Sequence, residues 1–212
     1  MFPRWGTTDH CAAIVFDFGG VLLDWDPRYL YQQLFPGDES AMANFLAEID
    51  FYGWNNLQDA GRPFSAGVAE ACQQFPQYCE LIRAYDERWE ESIAGPIQGT
   101  VEILRGLKEQ GRRLYGLSNW SAEKFYLVRH RFAFMDWFED ILVSGEVNLI
   151  KPDPRIFQLL LERLRLPAEA VLLVDDSARN VETARQLGFQ TIHFTSPKQL
   201  REALKALEIQ YN

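Results

Sequence analysis

Long apolar runs are missing from this sequence. The longest, Ala12-Ala13-Ile14-Val15-Phe16, stops at Asp17, far short of the roughly 20 residues needed to cross a bilayer, so no membrane association is expected. Positive charge is in deficit: 21 Lys and Arg stand against 30 Asp and Glu, a net charge of −9. Such a chain repels nucleic-acid phosphates, and no Lys/Arg cluster offsets this, which excludes nucleic acid as a partner. Cysteine is scarce. Cys11, Cys72 and Cys79 stand at no metal-ligand spacing, and an odd count fits a reducing compartment in which they serve only packing. Cys72 and Cys79 are spaced to share a helix face. Met1-Phe2-Pro3-Arg4-Trp5-Gly6 holds no apolar leader core, and the expectation is a cytoplasmic protein. Apolar residues are plentiful, at 47%, with 24% charged. This is the balance of a globular chain, and 212 residues allow one domain or one domain with a smaller insert.

Strand and helix signals alternate in two stretches. Residues 12–18 read as a buried parallel strand that feeds a glycine turn, Asp17-Phe18-Gly19-Gly20. From Pro27 to Gly95 no strand run is evident. Tyr29, Tyr31, Phe35, Phe45, Phe51, Tyr52, Trp54 and Trp89 suit several helices, with Tyr52, Trp54 and Trp89 read as helix core. Alternation resumes at Gly99. Thr100 is a candidate N-cap for a helix carrying Val101, Leu104 and Leu107 and ended by Gly111. Residues 112–117 form a strand ending at Ser118-Asn119, with Ser121 placed to cap the next helix. Residues 140–143 form a short strand. Asp153-Pro154 is an N-cap followed by proline at the first helical position. Residues 171–174 are a strand ending in Asp175-Asp176, residues 177–187 a helix stopped by Gly188, and residues 190–194 the last strand. Ser196-Pro197 with Gln199 has the capping-box pattern that opens the last helix.

Strands alternating with helices imply an α/β fold, a Rossmann-like parallel sheet sandwiched by helices. In such sheets, polar residues at strand C-termini gather along one edge, where ligands bind. Four strand ends carry reactive or charged residues: Asp17, Ser118-Asn119, the loop 144–151 with Lys151, and Asp175-Asp176. One aspartate after a strand is usually a turn residue. Four such ends in one sheet suggest a site.

The order Asp17-Phe18-Gly19-Gly20-Val21, Leu117-Ser118-Asn119, Lys151-Pro152 and Val174-Asp175-Asp176 resembles the four motifs of the haloacid dehalogenase-like hydrolases, and the resemblance covers nearly the whole chain. It implies a catalytic core over 1–27 and 95–212 and an inserted helical cap over 28–94. It also implies Asp17 as a nucleophile that forms an aspartyl-phosphate, with Ser118 and Lys151 completing the catalytic set. Gly19, Gly20 and Asn119 would hold the phosphate oxygens. Mg²⁺, a hard cation that takes oxygen ligands, would be bound by Asp17, the Gly19 carbonyl and the Asp175-Asp176 pair, with Asp176 direct and Asp175 through water. Asn180 either steadies the acid pair or lies on the surface. Within the cap, Asn55, Gln58, Asp59 and Arg62 are the candidates for substrate contact. Lys151, read as a loop residue, is expected to matter for rate and little for stability.

One position departs from the pattern. Phosphatases of this family usually carry a second Asp two residues after the nucleophile, as acid for the leaving group. Here it is Gly19, so another group must supply the proton, Asp59 being one candidate, or activated esters must be preferred. Haloacid dehalogenases also lack that Asp, but usually have Tyr there and no acidic pair. Phosphonoacetaldehyde hydrolases need a cap lysine, and residues 28–94 contain none. The pattern is most similar to bacterial sugar-phosphate phosphatases such as α-glucose-1-phosphate phosphatase. The expectation is a Mg²⁺-dependent phosphatase of small phosphorylated metabolites, sugar phosphates first. The alternatives are a 2-haloacid dehalogenase and a non-catalytic binding protein on the same fold.

Overall fold

The computed structural model describes residues 11–211; the stretch 1–6 read above for a leader lies outside them. The chain runs β1 (Ala13–Phe16), β2 (Leu23–Trp25), α1 (Arg28–Leu34), α2 (Glu39–Glu48), α3 (Phe51–Asp59), α4 (Phe64–Gln74), α5 (Cys79–Glu87) and β3 (Ile93–Pro96). It continues α6 (Gln98–Glu109), β4 (Leu114–Ser118), α7 (Ala122–Val128), β5 (Asp140–Val143), α8 (Ser144–Val147) and α9 (Pro154–Leu164). It closes with β6 (Val171–Asp175), α10 (Ala178–Gln186), β7 (Gln190–His193) and α11 (Pro197–Ala206). Among the described residues no helix is long and apolar enough to cross a membrane.

Five strands form a parallel sheet in the order β5-β4-β1-β6-β7. The side-chain period of two divides the core. Ile14, Phe16, Leu172 and Val174 pack on one face with Val101, Leu104 and Leu107 of α6 and Leu200 and Leu204 of α11. Ala13, Val15, Val171 and Leu173 pack on the other face with Ile156, Phe157, Leu160 and Leu164 of α9. A strand buried on both faces must be apolar throughout, which is why 12–16 is a continuous apolar run. Helices α1 to α5 cluster around Tyr31, Phe45, Phe51 and Tyr85, whose rings contact one another at centroid distances of 4.8 to 6.1 Å.

Several sequence expectations need correction. The segment from Pro27 to Gly95 is bracketed by an antiparallel ribbon, β2 paired with β3, with a register irregularity between Asp24 and Trp25. Three-residue β2 gives no periodic signal, and β3 contains Gly95 and Pro96, residues that argue against a strand. Helix α6 begins earlier than Thr100, with Ile97 at its N-cap. Thr100 is fully buried, and its Oγ1 has no hydrogen-bond partner among the described residues. Ser121 occupies the N-cap of α7 without a side-chain capping bond. Cys72 and Cys79 do not share a helix: α4 ends, the chain turns through Pro76–Tyr78, and the two meet as a disulfide with Cα atoms 4.5 Å apart. Cys11 is buried, its Sγ directed at the Ala13 carbonyl. Elsewhere the local signals hold. Asp153 caps α9 by accepting from the Arg155 N–H, with Pro154 at the first turn. Ser196 accepts from the Gln199 N–H, while Gln199 reaches back to the Thr195 N–H.

Candidate active site

The sheet register brings the site together. Phe16 of β1 lies beside Gly116 of β4 and Val174 of β6, so the residues just beyond, Asp17, Ser118 and Asp175, emerge at one edge. Since β1 is the central strand, Asp17 is flanked on both sides. The turn after it is tight: the Phe18 carbonyl accepts from the N–H groups of Val21, Leu22 and Leu23. Gly20 has φ +71°, and a Cβ there would overlap the Asp176 carboxylate, so glycine is required. Gly19 is different, because a Cβ there would meet no atom within 4 Å.

Lys151 reaches into this edge from the loop between α8 and α9. It is 3% exposed, and its Nζ lies 2.9 Å from Asp17 Oδ2, 2.7 Å from Asp175 Oδ2 and 3.0 Å from the Leu117 carbonyl. Its backbone is held by Asn119, whose Oδ1 accepts from the Lys151 N–H at 2.7 Å and whose Nδ2 donates to the Lys151 carbonyl at 2.9 Å. The Asn119 side chain is therefore spent on positioning the lysine. Asp175 is fully buried and saturated. Asn180 donates to both carboxylate oxygens, at 3.0 and 3.2 Å, and the Ser177 N–H donates to Oδ1 at 2.9 Å. Of the two readings of Asn180, the structure selects the one that steadies the acid pair. Asp176 is exposed, which leaves its carboxylate open at the rim.

Asp17, Asp175 and Asp176 each offer an oxygen within 4.8 Å of the others. One ammonium does not balance three carboxylates. Burial, with added repulsion from Asp175 and Asp176, pushes the Asp17 carboxyl up against the pull of Lys151. The Asp176 carboxyl is also raised, by burial first and then by Asp175. Lys151 loses by burial, yet Asp17 and Asp175 outweigh this and hold it above the ordinary lysine value. An all-oxygen donor set with excess negative charge fits a hard divalent cation such as Mg²⁺.

Beside this edge is a cavity of about 70 Å³, lined by Gly19, Ser118, Asn119, Leu23, Trp25, Trp89, Ile93, Trp120, Asn55 and Asp59. Of the four substrate-contact candidates in α3 and its flank, Asn55 and Asp59, one helical turn apart, reach it. Gln58 and Arg62 do not. They lie to one side: Gln58 is buried with its Nε2 on the Trp54 carbonyl, and Arg62 joins Gln58 Oε1 to Glu70 of α4. Asn55 donates to Asp59 Oδ2 at 2.9 Å and accepts from the Tyr85 hydroxyl at 3.3 Å. Burial raises the Asp59 carboxyl to about 7, against a lowering hydrogen bond from the Ser121 N–H. Trp54 is core, its Nε1 on the Gly67 carbonyl, and Tyr52 is exposed. Trp89, read as helix core, lines the cavity. Sequence reasoning misses Leu23, Trp25, Ile93 and Trp120. The ribbon that places three of them leaves no mark in the sequence, whereas Trp120, next to Ser118-Asn119, is within reach of the motif.

A family model for haloacid dehalogenase-like hydrolases matches residues 11–188. The chain belongs to this family. Among its relatives, a phosphorylated carbohydrates phosphatase of Thermotoga maritima is 26% identical over 184 residues, covering 85% of this chain and 83% of the relative. An (S)-2-haloacid dehalogenase of a Pseudomonas species is 33% identical over 192 residues, covering 86% and 82%. Among solved structures, a HAD family enzyme of Bacteroides thetaiotaomicron, crystallised with magnesium and inorganic phosphate, superposes with a TM-score of 0.68 at 22% identity, covering 88% of this chain and 95% of that one. This HAD-like chain is therefore a hydrolase by family, and its relatives include both phosphatases and dehalogenases.

Proposed function

We propose that this chain is a Mg²⁺-dependent phosphatase acting on small phosphate monoesters, with 1–27 and 95–212 as its catalytic core and 28–94 as a cap over the site. One observation carries the reading: three carboxylates gather at the end of the central strand, and a single buried lysine pairs with two of them, Asp17 and Asp175. Asp17 would attack phosphorus, forming an aspartyl-phosphate that water then hydrolyses. Lys151 holds positive charge against the developing oxyanions. Ser118 and the backbone N–H groups at Gly19 and Asn119 would receive the non-bridging oxygens; Gly20, expected from sequence to join them, instead gives its N–H to the Leu23 carbonyl at 2.9 Å. Asp17, the Gly19 carbonyl and Asp176 would hold Mg²⁺, while Asp175, expected from sequence to act through water, is taken up by Lys151, Asn180 and the Ser177 N–H; the bound ion would supply Lewis-acid charge neutralisation. The Bacteroides neighbour with magnesium and phosphate supports this reading, and the Thermotoga relative supports small phosphorylated metabolites, sugar phosphates included, as the substrate pool.

The dehalogenase reading draws on the 33% identical relative. The cavity counts against it: a 2-haloacid brings its own carboxylate, and no Lys or Arg lines the cavity among the described residues. A panel of phosphate esters and 2-haloacids, assayed with Mg²⁺ and with EDTA, decides. Ester hydrolysis that needs Mg²⁺ and falls below about 1% in Asp17→Asn is expected. Halide release in EDTA would install the dehalogenase, and no turnover of either class would leave a binding protein.

A further inference from the structure

We propose that the cavity beside Gly19 takes an apolar alcohol, aryl or hydrocarbon, as the leaving group of the phosphate monoester, and that Asp59 delivers the proton to its departing oxygen. The inference rests on the phosphatase reading and deepens it.

The walls are Leu23, Trp25, Trp89, Ile93 and Trp120. The two amide side chains of the lining are already engaged. Asn55 gives its N–H to Asp59 and its oxygen to Tyr85, and Asn119 is closed on the Lys151 peptide. A polyol entering here would leave hydroxyls buried and unpaired, which weakens binding roughly 5- to 100-fold for each one. A hydrocarbon or aromatic ring loses nothing. Two donors remain in the wall: the Nε1 atoms of Trp25 and Trp120 have no hydrogen-bond partner among the described residues.

Asp59 is held from two sides. Asn55 fixes its carboxyl group, and Ser144 Oγ donates to its main-chain carbonyl at 2.5 Å, which pins the end of α3 to the sheet. It lines the same cavity as Gly19, the position without an acid. The titratable group facing it is Tyr85 of α5, whose own phenol is held well above its ordinary value by burial and by Asp59. No other charged side chain lines the cavity among the described residues. With its carboxyl near 7, Asp59 is substantially protonated at neutral pH and suited to proton transfer in both directions. As Asp17 Oδ bonds to phosphorus, the phosphorus–alkoxy bond breaks, its electron pair stays on oxygen, and the Asp59 proton moves to that oxygen to release the alcohol. The Asp59 carboxylate then takes a proton from the water that attacks phosphorus, the Asp17–phosphorus bond breaks, phosphate leaves, and both acids are restored.

The test uses the full chain with Mg²⁺ and four esters: p-nitrophenyl, phenyl and cyclohexyl phosphate, and glucose 6-phosphate. Wild type should turn over phenyl and cyclohexyl phosphate with kcat/KM at least tenfold above glucose 6-phosphate. Asp59→Asn should lose about 10²–10⁴-fold on cyclohexyl phosphate, whose oxygen needs the proton, and under tenfold on p-nitrophenyl phosphate, whose oxygen does not. In wild type, without any substitution, kcat for cyclohexyl phosphate should fall as pH rises through about 7 while that for p-nitrophenyl phosphate does not. A preference for glucose 6-phosphate, equal losses on both esters, or superimposable pH profiles would each overturn the proposal while leaving the phosphatase reading intact. Absence of turnover on all four esters would defeat both.

Discussion

At the end of β1, three carboxylates and one ammonium crowd a small volume, with every oxygen of Asp175 engaged. A few residues away, around Gly19, the surroundings are three tryptophans, a leucine and an isoleucine, with Asn55 tied to Asp59 and Tyr85. The charged region comes from strand ends, where parallel register forces neighbours together. The apolar region comes from a ribbon, a helix end and the residue after a strand loop. A phosphoryl group and a hydrocarbon need opposite solvents, and this chain holds the two side by side without mixing their chemistry.

The sharpest way to break the charged region is Lys151→Ala. Read from sequence, this loop lysine should matter little for stability. In the structure its loss leaves Asp175 buried and uncompensated, and removing one partner of a buried pair costs about 3–5 kcal/mol. Urea denaturation in EDTA should show that loss, and a loss under about 1 kcal/mol would mean that the carboxylates simply take up protons. A second test separates the regions by pH. The folded carboxyl of Asp59 sits near 7, above its ordinary 3.8, so the folded state binds the extra proton. Its stabilising contribution is complete below the unfolded value and is lost as pH rises through the folded one. Relative to Asp59→Asn, wild type should therefore lose stability between about pH 4 and 7, by up to about 4 kcal/mol at 1.36 kcal/mol per unit, and then level off. A pH-independent difference between the two proteins would place the Asp59 carboxylate in water. The mildest test is Gly19→Ala. With no atom within 4 Å of the new Cβ, stability should change by under about 0.5 kcal/mol, and Gly20→Ala at φ +71° serves as the intolerant neighbour.

How far each region could be read from residues follows from how each is built. Asp17, Ser118 and Asp175 sit at the ends of apolar runs, and the ends of such runs are visible because burial on both faces demands continuous hydrophobicity. Lys151 stands out by its place before a proline in the loop after one. Register then does the rest. The motif pattern assigns the backbone N–H at Asn119 to phosphate and says nothing of its side chain, which clamps the lysine loop, a contact between residues 32 apart that no local pattern records. Gln58 and Arg62 differ from Asn55 and Asp59 only in the side of α3 and its flank they occupy, and polarity alone does not say which side faces a cavity. The disulfide depends on where α4 stops. With Cys72 and Cys79 paired, the odd cysteine count no longer argues for a reducing compartment.

The ribbon has one more consequence. The chain leaves the sheet for the five helices through β2 and returns through β3, and Leu23, Trp25 and Ile93 on those two crossings are also walls of the cavity. The crossings and the cavity wall are thus the same residues. Any swing of the helices against the sheet must reshape the space that grips the departing alcohol, so selectivity and turnover lie on a single mechanical coordinate. A substitution that tightens the grip would also slow the opening that lets product out.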